Sequence, residues 1–337
     1  MGWKLVVASV LAVGLAFGGF YLYRKPDTPA GSYAHFSYFM QRHNRNYRSA
    51  EEIETRFSVF KRNLGLFNAI NAERRSFKVG VGPFADMTFE EFKRARLMRP
   101  IPNPSRPRPL LASIFAGELE RDWVKEGKVS PVKNQSQCGS CWAFAAIGAL
   151  EAAQAIRTGP MVLFSEQELV DCAQKYGNFG CQGGLPNLAY DYIKDRGISL
   201  AADYPYTGRG AKCKAAKKPK QRIVAGYEML SEVSPDGIIA LLNRSPVAVG
   251  VEVQLPFMHY RSGVFSAGSD CGEEINHAVL LTGVRVSKDE KYFTLKNSWG
   301  EGWGEKGYMR IGFGDSSTGV CGMIGELDVI PLVAQSA

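Results

Sequence analysis

Gln135-Ser136-Gln137-Cys138-Gly139-Ser140-Cys141-Trp142-Ala143-Phe144 is the stretch on which the reading of this chain turns. Its two cysteines have the spacing of a redox pair or of half a zinc site. Neither fits the surroundings: there is no second Cys-x-x-Cys, and only His259 and His277 follow residue 117. Cys141 instead opens an Ala-rich helical stretch running from Ser140 to about Arg157, which Gly159-Pro160 stops. Unpaired N–H groups and the positive dipole end of a helix stabilise a thiolate, and a thiolate is a nucleophile. Taken alone, Cys141 reads first as a buried structural thiol, the commoner role of a lone cysteine.

Working outward, all seven cysteines lie beyond residue 117: Cys138, Cys141, Cys172, Cys181, Cys213, Cys271 and Cys321. An odd number leaves one thiol over if the rest form disulfides, the default in an oxidising compartment. The N-terminus fits that compartment. Lys4 precedes the uncharged run 5–23, the layout of a signal peptide, or of a retained signal anchor because the run approaches bilayer-spanning length.

The 337 residues are 45% hydrophobic and 22% charged, ordinary globular values that exclude a wholly disordered chain. The net charge of +8 is uneven: residues 24–116 carry 17 Lys+Arg against 8 Asp+Glu, whereas 117–337 carry 23 against 25. The larger segment is thus nearly neutral, and the basic balance does not indicate nucleic-acid binding. Ile53, Phe57, Phe60, Leu64 and Phe67 line one helical face behind a capping box, Ser49 to Glu52, and a second box, Thr88 to Glu91, opens a shorter helix ending near Met98. Five prolines between Pro100 and Pro109 make a linker. Beyond it a capping box at Ser165 to Glu168 starts a further helix, and Leu185 to Arg196 reads as another. Pro246 to Val253, Ala278 to Val286 and Tyr292 to Lys296 read as strands. Helices ahead of strands indicate an α+β fold.

His277, within Asn276-His277-Ala278-Val279, lies 136 residues after Cys141 and Asn297 lies 156, the first inside and the second just beyond the spacing of about 130–150 residues seen in papain-like peptidases. With Lys296-Asn297-Ser298-Trp299-Gly300-Glu301-Gly302-Trp303-Gly304 these strings make residues 117–337 resemble a papain-like cysteine peptidase from end to end. The resemblance implies the papain-like two-domain fold, a helical domain plus a β-rich domain, preceded by a helical inhibitory propeptide at 24–116. It implies Cys141 as nucleophile and His277 as its imidazolium partner. Gln135, with the Cys141 N–H, would bind the oxyanion, Asn297 would orient His277, and Trp299 would shield that bond. It also implies disulfides Cys138 with Cys181, Cys172 with Cys213, and Cys271 with Cys321.

For substrate, the same likeness points to Gly183 and Gly184 as an edge pairing with peptide backbone. Leu185, Pro186, Gly250 and Ala278 would form the apolar pocket for the residue two before the scissile bond, and Glu326 falls where relatives accepting Arg there carry an acid. Arg56, Phe57, Phe60, Asn63 and Asn71 resemble the propeptide of the cathepsin L-like branch, with Glu52 at its start. Phe67 stands where isoleucine is usual, and Gly82 replaces asparagine within 80–86. Ser136 replaces a usual glycine and creates a formal glycosylation acceptor at Asn134, expected bare; Asn243 is a second. The likeness implies no metal or cofactor, and protein and peptide substrates. It adds the chain's own propeptide as inhibitor, cystatin-type inhibitors as candidate partners, and a lysosome- or vacuole-like acidic compartment or the extracellular space. A membrane enters only if the N-terminal run is retained. An inactive homologue acting as a binder and a peptide ligase are the competing functions.

Overall fold

The computed structural model describes residues 29–99, 118–230, 234–266, 270–314, 318–325 and 328–334. The N-terminal run 5–23, the proline linker 100–109 and Glu326 lie outside the described residues. Among the described residues no helix is long and apolar enough to cross a membrane. The chain forms two compact units. One takes in the described chain through Ala69 together with Ala85–Met87; the other takes in Ile70–Phe84 and the chain from Thr88 onward.

The first unit is built on α1 (Pro29–Arg42) and most of α2 (Ala50–Ala72). Its core is aromatic: Phe36, Phe39 and Phe60 are buried, with ring centroids 5.2–6.1 Å apart. Buried Asn63 would be costly in such a core, but its amide donates to the carbonyls of Ala85 and Met87 at 2.9 and 3.0 Å. Arg45 and Tyr47 both bind the Asp86 carboxylate. The Ser49 box forms differently from expectation. Ser49 Oγ accepts from the Glu52 N–H, but the Glu52 carboxylate reaches the N–H of Arg48, one residue earlier than the cap.

The second unit has a nine-stranded sheet with β2 (Leu119–Asp122) paired to the C-terminal half of β6 and the order β1–β5–β8–β7–β6–β4–β9–β3. Here β1 is Phe77–Val79, β3 Val224–Met229, β4 Val247–Val251, β5 Tyr260–Phe265, β6 His277–Val286, β7 Lys291–Lys296, β8 Tyr308–Gly312 and β9 Val329–Val333. All pairings are antiparallel except β5 with β8. The remaining helices are α3 (Phe89–Arg96), α4 (Cys141–Thr158), α5 (Glu166–Cys172), α6 (Pro186–Arg196), α7 (Pro235–Leu242) and the single turn α8 (Leu255–Met258).

Helix α4 packs on β6 and β9 and is buried almost all round from Cys141 to Ala152, which is why it is Ala-rich. At Gly148 an added Cβ would lie 3.1 Å from Leu280 on β6, so helix and sheet approach closely. Gly159 ends α4 at φ +95°, donating to the Ala155 carbonyl. The Thr88–Glu91 box is complete, and α3 stops at Arg96. The box at Ser165 is half made, because the Glu168 carboxylate turns into the core to accept from Tyr192 Oη and the Ser199 N–H.

Two strands depart from the expected order of helices before strands. The three-residue β1 adds to the sheet edge beside β5, and Phe77 packs on Phe265 at 4.5 Å. Opposite Phe77 stands Gly263 at φ +93°, where a Cβ would lie 2.3 Å from the Ser76 carbonyl oxygen. The approach of Ser76 therefore requires glycine there. Arg75 anchors the strand's start by an ion pair with the largely buried Asp270.

Candidate active site

Cys141 is the first residue of α4, fully buried, and the free cysteine among the described residues. The other six form Cys138–Cys181, Cys172–Cys213 and Cys271–Cys321. The first ties the loop ahead of α4 to the turn at Gly180–Gln182, and the Gly139 N–H donates to the Cys181 carbonyl at 2.9 Å. This fixes the approach to the thiol from both sides.

His277 begins β6 and Asn297 follows β7, so two adjacent antiparallel strands bring the pair together. His277 Nε2 lies 2.8 Å from Asn297 Oδ1, which also accepts from the Ser298 N–H at 2.8 Å. An acceptor oxygen there selects the tautomer with hydrogen on Nε2 and leaves Nδ1 as the lone-pair nitrogen. Trp299 stacks on the imidazole at 4.6 Å and is itself buried, meeting the edges of Phe84 and Phe92 at 5.7 and 5.0 Å.

Gln135 is buried with its amide fully used. Nε2 donates to the carbonyls of Cys138 and Arg96, both at 2.8 Å, and Oε1 accepts from Ser298 Oγ at 2.6 Å. Arg96 belongs to the segment ahead of the proline linker, and that segment continues past the thiol. The Met98 N–H donates to the Asn276 carbonyl at 2.9 Å, and the Arg99 N–H to the Gln182 carbonyl at 3.3 Å. Met98 is 2% exposed within the apolar cluster that also holds Cys141, Trp142, Ile275 and Ala278.

The two glycines of 183–184 have different causes. A Cβ at Gly183, φ +127°, would lie 2.8 Å from Met98 Cβ, so the passing segment needs its absence. A Cβ at Gly184 would collide with Asn178 Oδ1 at 2.3 Å and the Trp142 ring at 2.7 Å, a constraint internal to the loop. Leu185 caps α6, with Pro186 as its first residue, and Gly250 faces Ala278 across β4 and β6. Ser136 sits at φ +56°, which accounts for glycine as the usual residue, and its N–H is held by Asn134 Oδ1 at 2.9 Å. Ser298, Arg96 and Met98 were missed in the sequence; no local pattern marks a serine that holds a distant glutamine.

Burial pushes the Cys141 thiol up to about 11, outweighing the N–H groups of Ala278, Trp142, Cys141 and Met98 that favour the anion. Burial likewise pulls His277 down to about 4 against the opposing Asn297 bond. Between those values thiol and imidazole are both neutral. A measurement follows: with a thiol near 11, about 10⁻⁴ of it is ionised at pH 7. Iodoacetamide should label the full-length chain slowly, rising tenfold per pH unit to pH 9. A fast, flat rate from pH 5 to 8 would mean an ion pair already formed beneath the covering segment.

A buried thiol, an oriented imidazole and an amide donor occupied by the chain's own carbonyl define a cysteine peptidase in proform. The model of the papain family cysteine protease matches residues 119–329, and that of the cathepsin propeptide inhibitor domain matches 36–92. The chain belongs to the papain family of cysteine proteases and carries the cathepsin-type inhibitory propeptide of a zymogen. It is 41% identical to Pro-cathepsin H of Bos taurus, over 85% of this chain and 87% of that one, and 40% identical to a Thiol protease aleurain-like of Arabidopsis thaliana, over 85% and 81%. Among solved structures, the proform of the ragweed pollen cysteine protease Amb a 11 superposes with a TM-score of 0.80 at 34% identity, covering 92% of this chain and 97% of that one. Cathepsin H, aleurain and procathepsin L types all occur among the relatives, which show the family and do not distinguish the cathepsin L-like branch within it.

Proposed function

We propose that the chain is a cysteine endopeptidase zymogen whose mature domain, from about residue 117, cleaves peptides through Cys141 and His277. The observation that carries this is the bond from Gln135 Nε2 to the Arg96 carbonyl: the propeptide offers a peptide oxygen to the donor a substrate would use. When the segment leaves, water re-enters and the thiol proton passes to the imidazole. The thiolate attacks the substrate carbonyl, whose oxygen takes hydrogen bonds from Gln135 and the Cys141 N–H, each worth about 3 kcal/mol. His277 then protonates the leaving amine, and water hydrolyses the acyl-enzyme. Asn297 holds the ring and Trp299 keeps water from that bond. An irreversible epoxide of the E-64 type tests the reading, since a related Carica candamarcensis protease has been solved in complex with E-64. Stoichiometric labelling is expected only after maturation, and a matured chain that takes no label would end the proposal.

The buried Met98 supports an apolar pocket for the residue two before the scissile bond, walled by Leu185, Pro186, Gly250 and Ala278. Glu326 would form its floor and admit Arg. Replacing Glu326 with Ser should lower the Arg-to-Leu ratio of kcat/KM about tenfold; an unchanged ratio removes Glu326 from the pocket. The N-terminal run acts as signal peptide or anchor, delivery is to an acidic compartment or the exterior, and cystatin-type inhibitors would block the mature cleft.

Maturation in acid needs a titrating trigger, and the catalytic pair is a poor one. Covered, it holds one proton on sulfur; as thiolate and imidazolium it again holds one, on the ring. Release therefore takes up no proton there over the middle pH range. The Arg75–Asp270 pair instead anchors the start of β1, and its bond raises the Arg75 guanidinium. Cleavage between Arg99 and Gly117 should be faster at pH 5 than at pH 7.5. Arg75→Ala should accelerate it about tenfold at pH 7.5, about 1.4 kcal/mol, by loosening the strand. An unchanged rate would exclude this pair as an anchor of the propeptide.

A further inference from the structure

A second cavity, of about 400 Å³, shares no lining residue with the peptidase site. It lies between the turn after α5, the end of α6 and the segment following Cys213, over the Cys172–Cys213 disulfide. Its wall carries Lys175, Arg196, Lys218, Lys220 and Arg222 against a single carboxylate, Asp195. That carboxylate accepts from Tyr176 Oη at 3.0 Å, so it is already engaged. Lys220 is tied to buried Glu168, which pins the wall in place. Lys175 and Lys218 are exposed and make no ion pair among the described residues. The charge continues outside the cavity, since residues 209–222 hold seven Lys+Arg and no Asp or Glu. The disulfide and the Lys220–Glu168 bond, in which Lys220 is itself neutralised, thus hold the remaining cations together against one carboxylate, although the domain as a whole is nearly neutral.

We propose that this pocket and the run leading to it form an exosite for an anionic polysaccharide, with one sulfate or carboxylate in the cavity and its neighbours along Lys212, Lys214 and Lys217. An extended ligand is indicated because the cations outnumber what one small anion can meet. A linear polyanion gains affinity by releasing its condensed counterions to such a row. A single-stranded nucleic acid would want exposed aromatic platforms; residues 209–222 contain no aromatic, and of the cavity's two tyrosines Tyr192 is buried against Glu168 and Tyr176 is held by Asp195. A disulfide in the wall also belongs to an oxidising compartment, where acidic polysaccharides are the abundant polyanions.

The test measures binding of heparin and of polygalacturonate to the full-length chain at pH 7 from 50 to 300 mM salt. Lys175→Ala with Lys218→Ala should weaken binding about tenfold at the lowest salt and flatten the slope of log K against log salt by about two. Lys288→Ala with Lys291→Ala, exposed on and beside β7 and equal in charge removed, should change affinity less than about threefold. Preference for heparin assigns sulfate and preference for polygalacturonate assigns carboxylate. Equal losses from both pairs, no loss from the first, or tighter binding of a single-stranded oligonucleotide of matched charge would each overturn the proposal. Hydrolysis of a small peptide after maturation should be the same in all three proteins.

Discussion

Replacing Cys141 with serine should leave the full-length chain intact at pH 5 and lower peptide hydrolysis at least about 10⁴-fold. The physical reason is ionisation. A thiol at the start of α4 can become a thiolate against His277 once the covering segment is gone, whereas a hydroxyl of similar size cannot be ionised by an imidazole. Nothing else need change, because the substitution keeps the buried volume nearly constant at a position fully enclosed by the core. Two measurements separate lost chemistry from lost fold: the thermal midpoint should stay within a few degrees, and a trace of matured wild-type enzyme should process the variant in trans. Maturation of the variant alone at the wild-type rate would remove Cys141 from the nucleophile's role.

Gln135→Ala should lower kcat about 10²- to 10³-fold with KM changed less than about threefold, the signature of a donor used chiefly in the transition state. The amide is rigid before any substrate arrives, held by Cys138 on one side and Ser298 on the other. That preorganisation gives a separate expectation for Ser298→Ala, in which the donor remains but its orientation loosens. A smaller fall in kcat, about tenfold, is expected. Both variants should be matured in trans, because Gln135 also holds the Arg96 carbonyl and its loss weakens the propeptide's grip. A Gln135→Ala enzyme with normal kcat would place the oxyanion elsewhere.

The chemistry was more legible than the architecture. Cys141 ahead of an Ala-rich helix, with Gly159-Pro160 behind it, could be read because helix signals are local, and α4 spans Cys141–Thr158. The same holds for the complete box at Thr88, which opens α3. Glu168 looked like an equal box member, yet in the tertiary structure a tyrosine, a lysine and a distant N–H compete for its carboxylate and win it. β1 left no signal since three residues cannot show a period, and its pairing energy comes from β5 far along the chain. Gly183 and Gly184, identical in sequence, answer to different neighbours.

By itself, then, the order of residues determined which groups can react: a thiol left over from an odd set, an imidazole, an amide and the helix start beside them. Those are properties of side-chain type and of short-range hydrogen bonding, which do not wait for the chain to fold. Only the tertiary structure decided that His277 meets Asn297 at 2.8 Å and that Gln135 gives its N–H to Arg96. It also decided that thiol and imidazole stay neutral, because the burial that shifts both is created by packing residues far apart in sequence.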